Sequence, residues 1–317
     1  MNDLPLVSIV IPVYNGSDYM SEAIDSALAQ TYSNIEILVI NDGSNDEGAT
    51  RKIALCYGNK IRYFEKQNGG VATALNLGIG EMKGEYFSWL SHDDAYKSNK
   101  IQVQVEYLES NKSIGACYSD YDVIDENSKK LSTVKVPWYP GIRALLELFG
   151  NGYINGCSLL IRKTVFDQVG LFNESLRYSQ DIEMWIRILN KFSIGKVDEI
   201  LSFERTHKNQ GSLKFSKGVN EEVKNMYLDI FTSLSIYDCL KSSDYSQKRK
   251  IAHGYLWLGD RIARLRGDYE GALFFYQNSI NQWNSLYNKA RIRKIMGIKG
   301  LFLYFNALKM ADSLKKK

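Results

Sequence analysis

Two adjacent carboxylates, Asp93 and Asp94, follow an apolar run, Tyr86 to Leu90, in the stretch YFSWLSHDDAYK. The run has the length and composition of a buried strand, and polar Ser91-His92-Asp93-Asp94 ends it. In open α/β sheets, ligands bind just beyond the carboxyl ends of the strands. Two carboxylates side by side repel each other, and a hard divalent cation such as Mg²⁺ or Mn²⁺ relieves that repulsion. Taken alone, the same residues also describe a solvated Asp-Asp turn. The elements that must position them separate the two readings.

Leu6 to Ile11 is a nearly continuous β-branched run, the pattern of a strand covered on both faces. Pro12-Val13-Tyr14-Asn15-Gly16 ends it, and Ser17 is placed to cap a helix carrying Met20, Ala23, Ile24, Ala27 and Leu28 at helical spacing. Glu36 to Ile40 is a second strand, ended by Asn41-Asp42-Gly43-Ser44. A weaker helix over Asp46 to Tyr57, a strand over Ile61 to Phe64, and Asn68-Gly69-Gly70 opening a helix through Ala74 and Leu77 lead to the strand at Tyr86. The order β-α-β-α-β-α-β is that of a doubly wound parallel sheet. Its polar clusters fall on one sheet edge and describe a nucleotide-sized crevice. No GxGxxG follows the first strand and no GxxxxGK[ST] occurs, which disfavours dinucleotide-binding and P-loop readings.

A chain of 317 residues is long enough for a sizeable core and two domains. The net charge of +4 is small and gives no reason to expect a nucleic-acid partner, but it is unevenly spread: Lys289 to Lys317 holds nine basic residues and one acidic, leaving 31 basic against 35 acidic elsewhere. Four cysteines, Cys56, Cys117, Cys157 and Cys239, show no CxxC spacing, which points to reduced thiols and a cytoplasmic location. The first residues, MNDLPLVSIVIPVYN, lack the basic start of a signal peptide, and no apolar run approaches the roughly 20 residues of a membrane span.

The segments VSIVIPVYNGSDYMSEAIDSALAQTYSNIEILVINDGSND and QNGGVATALNLGIGEMKGEYFSWLSHDDAY resemble the glycosyltransferase family 2 pattern, and the likeness runs from about residue 5 to 206. The resemblance implies a GT-A fold, inversion at the sugar's anomeric carbon, a nucleotide-sugar donor, commonly a UDP-sugar, and Mg²⁺ or Mn²⁺. It implies that Pro12, Tyr14 and Asn15 border the nucleotide and that Asp42 accepts a hydrogen bond from the base. It also implies that Asn68, Gly69 and Gly70 bring backbone close to the ligand, and that Asn76 matches the Asn of the family's Ala-Arg-Asn run, here Ala74-Leu75-Asn76. The family's Asp-x-Asp-Asp reads Ser91-His92-Asp93-Asp94, so Asp93 aligns with the metal-binding carboxylate and Asp94 with its neighbour. Ser91 can donate to a ribose or phosphate oxygen; His92 either faces the sugar or packs.

Further on, Asn155 to Arg162 resembles the family's small-residue turn and strand. Ser179-Gln180-Asp181-Ile182-Glu183-Met184-Trp185 resembles its Glu-Asp helix start, with Gln180 replacing the Glu. Inversion in one displacement needs a base for the acceptor hydroxyl, and Asp181 is the candidate. After a strand over Ile200 to Glu204, Arg205-Thr206-His207 resembles the family's Arg-x-His, placing His207 near phosphate or metal. Asp120, Asp122 and Asp125 are either a second ligand site or a solvated strand end, and Trp138-Tyr139 either stack on a sugar or pack. Leu256 to Tyr276 resembles a tetratricopeptide helix pair or an ordinary helical hairpin. Arg291 to Leu314 is basic and aromatic-rich, the composition of an anchor for an anionic membrane surface or of a closing helix.

The expectation is an α/β GT-A catalytic domain over 1–215, with a mostly parallel Rossmann-like sheet flanked by helices, then an α-helical region over 216–317. Its partners are a nucleotide-sugar donor and a glycan or lipid-linked acceptor of surface polysaccharide synthesis. Its place is the cytoplasm, peripheral on the inner face of the membrane. A nucleotidyltransferase would carry a Gly-rich loop with a basic residue where Pro12 to Asn15 stand. A non-catalytic binding module would turn over no nucleotide sugar.

Overall fold

The structure, a computed structural model, describes residues 4–140, 152–208 and 269–282 in full, with isolated positions between them. The chain divides into two units, Met1–Leu145 with Tyr153–Ser216, and Leu146–Gly152 with Lys217–Lys317. The expected boundary at 215 lies outside the described residues, as does the basic stretch from Arg291.

In the first unit, β1 (Val7–Val13), β2 (Ile35–Asn41), β3 (Arg62–Glu65) and β4 (Tyr86–Trp89) pair in parallel in the order β3-β2-β1-β4. Helices α1 (Met20–Leu28), α2 (Ala49–Cys56) and α3 (Val71–Glu81) connect them. The β-branched run of β1 is buried at every position because both faces are covered. Val7, Ile9, Ile11 and Val13 join Ala23, Ile24 and Ala27 of α1 in one core. Val10, on the opposite face, lies so close to Gly78 of α3 that a Cβ there would clash.

Beyond β4 the sheet becomes mixed. β5 (Ala95–Tyr96), α4 (Lys100–Ser110), β6 (Ile114–Ile124), β7 (Lys130–Val134), β8 (Leu160–Arg162), α5 (Lys163–Val169), α6 (Gln180–Lys191) and β9 (Ser193–Arg205) follow. β8 runs antiparallel to both β4 and β6, β6 runs parallel to β9, and β5 and β7 pair antiparallel to β9 and β6. The parallel pattern of the first half thus does not extend through the second.

Ser17 makes no cap: α1 starts three residues after it with Tyr19 at the cap position, and the carbonyl of Gly16 accepts the N–H of Met20 at 3.0 Å. In the second unit, α7 (Tyr269–Gln282) packs Phe275 against Tyr255, and Tyr276 Oη donates to Asp260 Oδ1 at 3.1 Å. A Cβ on Gly259 would meet the Tyr276 ring, so two helical segments approach closely there.

Asp120 and Asp122 do not form the solvated strand end expected as one alternative: both are buried and paired with lysines. Asp120 pairs with Lys135 at 2.9 Å and Lys196 at 3.3 Å, Asp122 with Lys130 at 2.8 Å and Lys97 at 3.5 Å, while Asp125 accepts the N–H groups of Asn127 and Lys129 in its own turn. Burial alone would raise both buried carboxyls, but their lysine and hydrogen-bond partners outweigh it and hold them below the usual carboxylate range. With folded-state values depressed, their stabilisation is complete above the unfolded-state range, near pH 4, and is lost as pH falls from there through the lower folded-state values. We predict a fall in the thermal midpoint on acidification below about pH 4. The slope should be shallower in the Asp120→Asn, Asp122→Asn double variant; equal slopes would show that these ion pairs do not carry it.

Candidate active site

Strands β2 and β3 lie on one side of β1 and β4 on the other, so the topology reverses between β1 and β4. A crevice opens at the carboxyl ends of strands at such a point. Tyr14 and Asn15 follow β1 and Ser91 to Asp94 follow β4, one group on each side of it. The two loops touch: a Cβ on Gly16 would lie 2.6 Å from Cδ2 of His92. His92 therefore packs, and burial lowers its imidazole pKa.

Asn15 takes the left-handed conformation, φ 51°, which Asn tolerates better than most residues. Its N–H donates to Ser44 Oγ at 2.9 Å, and its amide exchanges hydrogen bonds with Asn45 at 2.7 and 2.8 Å. Tyr14 stays 43% exposed beside this stitched pair of loops, and Pro12 is buried within β1.

Asp42, 3% exposed, holds the Asn68-Gly69-Gly70 segment. Its Oδ1 accepts Lys66 Nζ at 2.6 Å and the Gly69 N–H at 3.0 Å, and its Oδ2 accepts the Gly70 N–H at 2.7 Å. Asn68 Nδ2 donates to the Asp42 carbonyl at 2.9 Å. Gly43 is confined here as well: its φ is +68°, and a Cβ would lie 2.5 Å from the Asn68 nitrogen. Lys66, which the sequence did not single out, is the charge partner of Asp42. We predict that Asp42→Ala, which strands a partly buried ammonium and two N–H groups, costs about 3–5 kcal/mol in urea denaturation. A loss under 1 kcal/mol, the scale of an exposed ion pair, would refute this assignment.

The two carboxylates after β4 face different surroundings. Asp93 is half-buried, and its Oδ2 lies 3.2 Å from Nε2 of His207, 114 residues further on. Asp94, expected beside it as a second metal ligand, is turned inward. Its Oδ1 accepts the N–H of Arg205 at 2.8 Å and its Oδ2 the thiol of Cys157 at 3.1 Å. Burial, then the charge of Asp93, push the Asp94 carboxyl well above the usual range, and burial and Asp94 do the same to the Cys157 thiol. Ser91 completes this inner cluster, its N–H 3.2 Å from Cys157 Sγ. Glu204 on β9, bonded to Asn155 and Tyr121, is a further acidic neighbour that the sequence reading passed over; burial raises its pKa. Wholly buried Lys100 ties α4 to Ser88 and the Leu159 carbonyl and donates to Gln104 one turn along the same helix, and burial pushes its ammonium down to about 7.

Asn76 sits on α3 but is committed to the 172–174 segment. Its Nδ2 donates to the Phe172 carbonyl at 2.9 Å and Glu174 Oε1 at 2.8 Å, and its Oδ1 accepts the Phe172 N–H at 2.9 Å. Both ends of its amide are thereby used inside the protein, which argues against the expected nucleotide contact. Phe172 stands edge-on to Trp89 of β4, centroids 6.1 Å apart, and to Trp185 of α6, 6.0 Å apart. This aromatic column connects the end of β4 to the start of α6. Asp181, one turn before Trp185, is half-buried in the first turn of α6, and its Oδ1 accepts the Ile182 N–H at 2.7 Å. Among the described residues, buried Trp89 Nε1, Trp185 Nε1 and Gln180 Oε1 have no hydrogen-bond partner. Trp138 is exposed, while Tyr139 packs edge-on against Tyr153 at 5.3 Å.

A mixed α/β sheet with a polar crevice at its topological switch is the arrangement of a GT-A glycosyltransferase. The chain belongs to glycosyl transferase family 2, whose model matches residues 8–170. An uncharacterized glycosyltransferase of Rickettsia felis is 50% identical over 246 residues, 76% of this chain and 40% of that protein, so the chain spans well under half of that relative. Among solved structures, S. aureus TarS 1-349 in complex with UDP-GlcNAc superposes with a TM-score of 0.60 at 15% identity, covering 92% of this chain and 79% of that one. The mannosyltransferase PcManGT of Pyrobaculum calidifontis, in complex with GDP-Man and Mn²⁺, gives 0.56 at 13% identity, covering 99% and 87%. No helix among the described residues is long and apolar enough to cross a membrane.

Proposed function

We propose that this glycosyltransferase moves one sugar, with inversion, from a UDP-sugar to a hydroxyl of a glycan or lipid-linked acceptor in surface polysaccharide synthesis. The observation that carries the reading is the pairing of Asp93 with His207, 3.2 Å apart, at the switch-point crevice. The structural neighbours in complex with UDP-GlcNAc and with GDP-Man support a nucleotide-sugar ligand.

Tyr14 and Asn15 flank the nucleotide, and Asp42 offers the base N–H the remaining capacity of an oxygen already bonded to Gly70. Asn68 and Gly69 line the same edge, and Ser91 faces ribose or phosphate oxygens. One partly exposed carboxylate and one imidazole are donors that would hold a Mg²⁺ or Mn²⁺. Among the described residues no group of three acidic, His or Cys side chains converges, so Asp93 and His207 are the donors the protein would supply. Held by Asp93 and His207, such a cation would supply positive charge for the departing diphosphate. Asp181 takes the proton of the acceptor hydroxyl as that oxygen attacks the anomeric carbon. The sugar–phosphate bond breaks in the same step, and the nucleoside diphosphate leaves with its electrons.

Thermal-shift screening of nucleotide sugars with Mn²⁺, followed by measuring release of nucleoside diphosphate, tests the reading. Stabilisation by a UDP-sugar and its turnover support it; absence of both across UDP- and GDP-sugars refutes it. The same reading places the protein in the cytoplasm, held at the inner membrane face by its basic tail. Co-sedimentation with anionic vesicles, lost on truncation at Lys289, is the expected result; unchanged sedimentation removes the anchor.

A further inference from the structure

Arg205 closes β9 two residues before His207 and is wholly buried. Its Nε donates to the Asp93 carbonyl at 2.8 Å. One terminal nitrogen donates to the Asp125 carbonyl at 3.1 Å and Ser128 Oγ at 2.9 Å, the other to Glu22 Oε2 at 2.6 Å. Its backbone N–H is the one held by Asp94. Glu22 in turn accepts Ser128 Oγ at 3.0 Å, so the first turn of α1, the β6–β7 turn and the end of β9 meet at one guanidinium. The guanidinium carbon lies 4.5 Å from the centroid of the Tyr19 ring, and the same ring meets His207 edge-on at 5.2 Å. With no exposed surface and four of its five N–H groups bonded inside the protein, this arginine cannot reach a diphosphate. Its planar fork instead fixes the segments that carry Asp93 and His207.

We propose that Tyr19, Glu22 and Arg205 form a positioning unit that sets the relation between Asp93 and His207, and through it the affinity for a divalent cation–nucleotide complex. This rests on the function proposed above. Asp93 lies in the turn between β4 and β5 and His207 lies past the end of β9, so no shared strand or helix holds them together. Arg205 fixes the Asp93 backbone directly. Tyr19, oriented by the cation beneath or above its face, limits where the His207 ring can turn. Partners that orient ligating side chains in this way typically matter 10–100-fold in affinity.

The test is calorimetry of UDP binding to the full chain with Mn²⁺ and, separately, in EDTA. Tyr19→Leu and Glu22→Ala are expected to weaken Mn²⁺-dependent UDP binding about tenfold, with metal-free UDP binding unchanged. Tyr19→Phe, which keeps the ring, should bind within about twofold of wild type. The Glu22 side chain is 44% exposed, so Glu22→Ala keeps the proposal testable where Tyr19→Leu fails to fold. Asp93→Ala serves as reference. If wild type and Asp93→Ala bind alike in Mn²⁺, or neither binds, the functional reading itself falls and this unit with it. If Asp93→Ala alone is impaired, the positioning unit is overturned and the functional reading stands. A parallel loss with and without metal in Glu22→Ala, or Tyr19→Phe as weak as Tyr19→Leu, reduces the unit to ordinary structural support and also overturns it.

Discussion

Asp93→Ala should reduce sugar transfer by at least 10²- to 10³-fold, about the effect of removing one preorganised electrostatic contact in an active site, while leaving the thermal midpoint close to wild type. The two halves of the expectation have separate causes. The carboxylate is partly buried, and among the described residues its side-chain hydrogen bond is with His207. Arg205 holds the Asp93 carbonyl, which alanine retains. The neighbouring residue should behave in the opposite sense. Asp94→Ala leaves the Arg205 N–H and the Cys157 thiol without their buried acceptor, at a cost of about 1–3 kcal/mol in stability. Turnover by nucleoside diphosphate release and unfolding by circular dichroism measure the pair of variants side by side. An active Asp93→Ala enzyme would remove this carboxylate from the reaction.

Asp181→Asn should abolish transfer with donor binding nearly unchanged. A general base contributes 10²- to 10⁴-fold, and an amide of the same shape cannot take the proton. The substitution keeps an oxygen that can accept the Ile182 N–H, so the first turn of α6 is preserved. Trp185, one turn further along, remains packed on Phe172. UDP affinity in Mn²⁺ by calorimetry, set against the transfer rate, separates the two steps. A variant that transfers normally would exclude Asp181 as the base. One that loses donor affinity as severely as rate would move Asp181 to the nucleotide side.

The alternation of strand and helix through β4 was legible because each element has its own periodicity. β1 is a β-branched run buried on both faces, and α1 repeats Met20, Ala23, Ile24 and Ala27. β8 was harder to place: its three residues are too few to show a period, and only their pairing with β4 and β6 gives the strand its direction. The polar edge was legible for a similar reason, since Asp42 directly follows one apolar strand and Asp93 comes four residues after the end of another. His92 carried no such signal. Its packing depends on Gly16, 76 positions earlier, which lacks the Cβ that would collide with it.

By itself the order of residues determined which strands run parallel in the first half, which strand ends carry polar side chains, and the family to which those motifs belong. Those properties depend on near neighbours along the chain. Only the tertiary structure decided what each polar group faces: Lys66 against Asp42, Cys157 against Asp94, the 172–174 segment against Asn76, and Arg205 among Glu22, Ser128 and Asp93. A carboxylate beside a buried thiol and one beside an imidazole have the same covalent structure. Their burial and hydrogen-bond partners distinguish them, and those partners come from segments up to 183 residues apart.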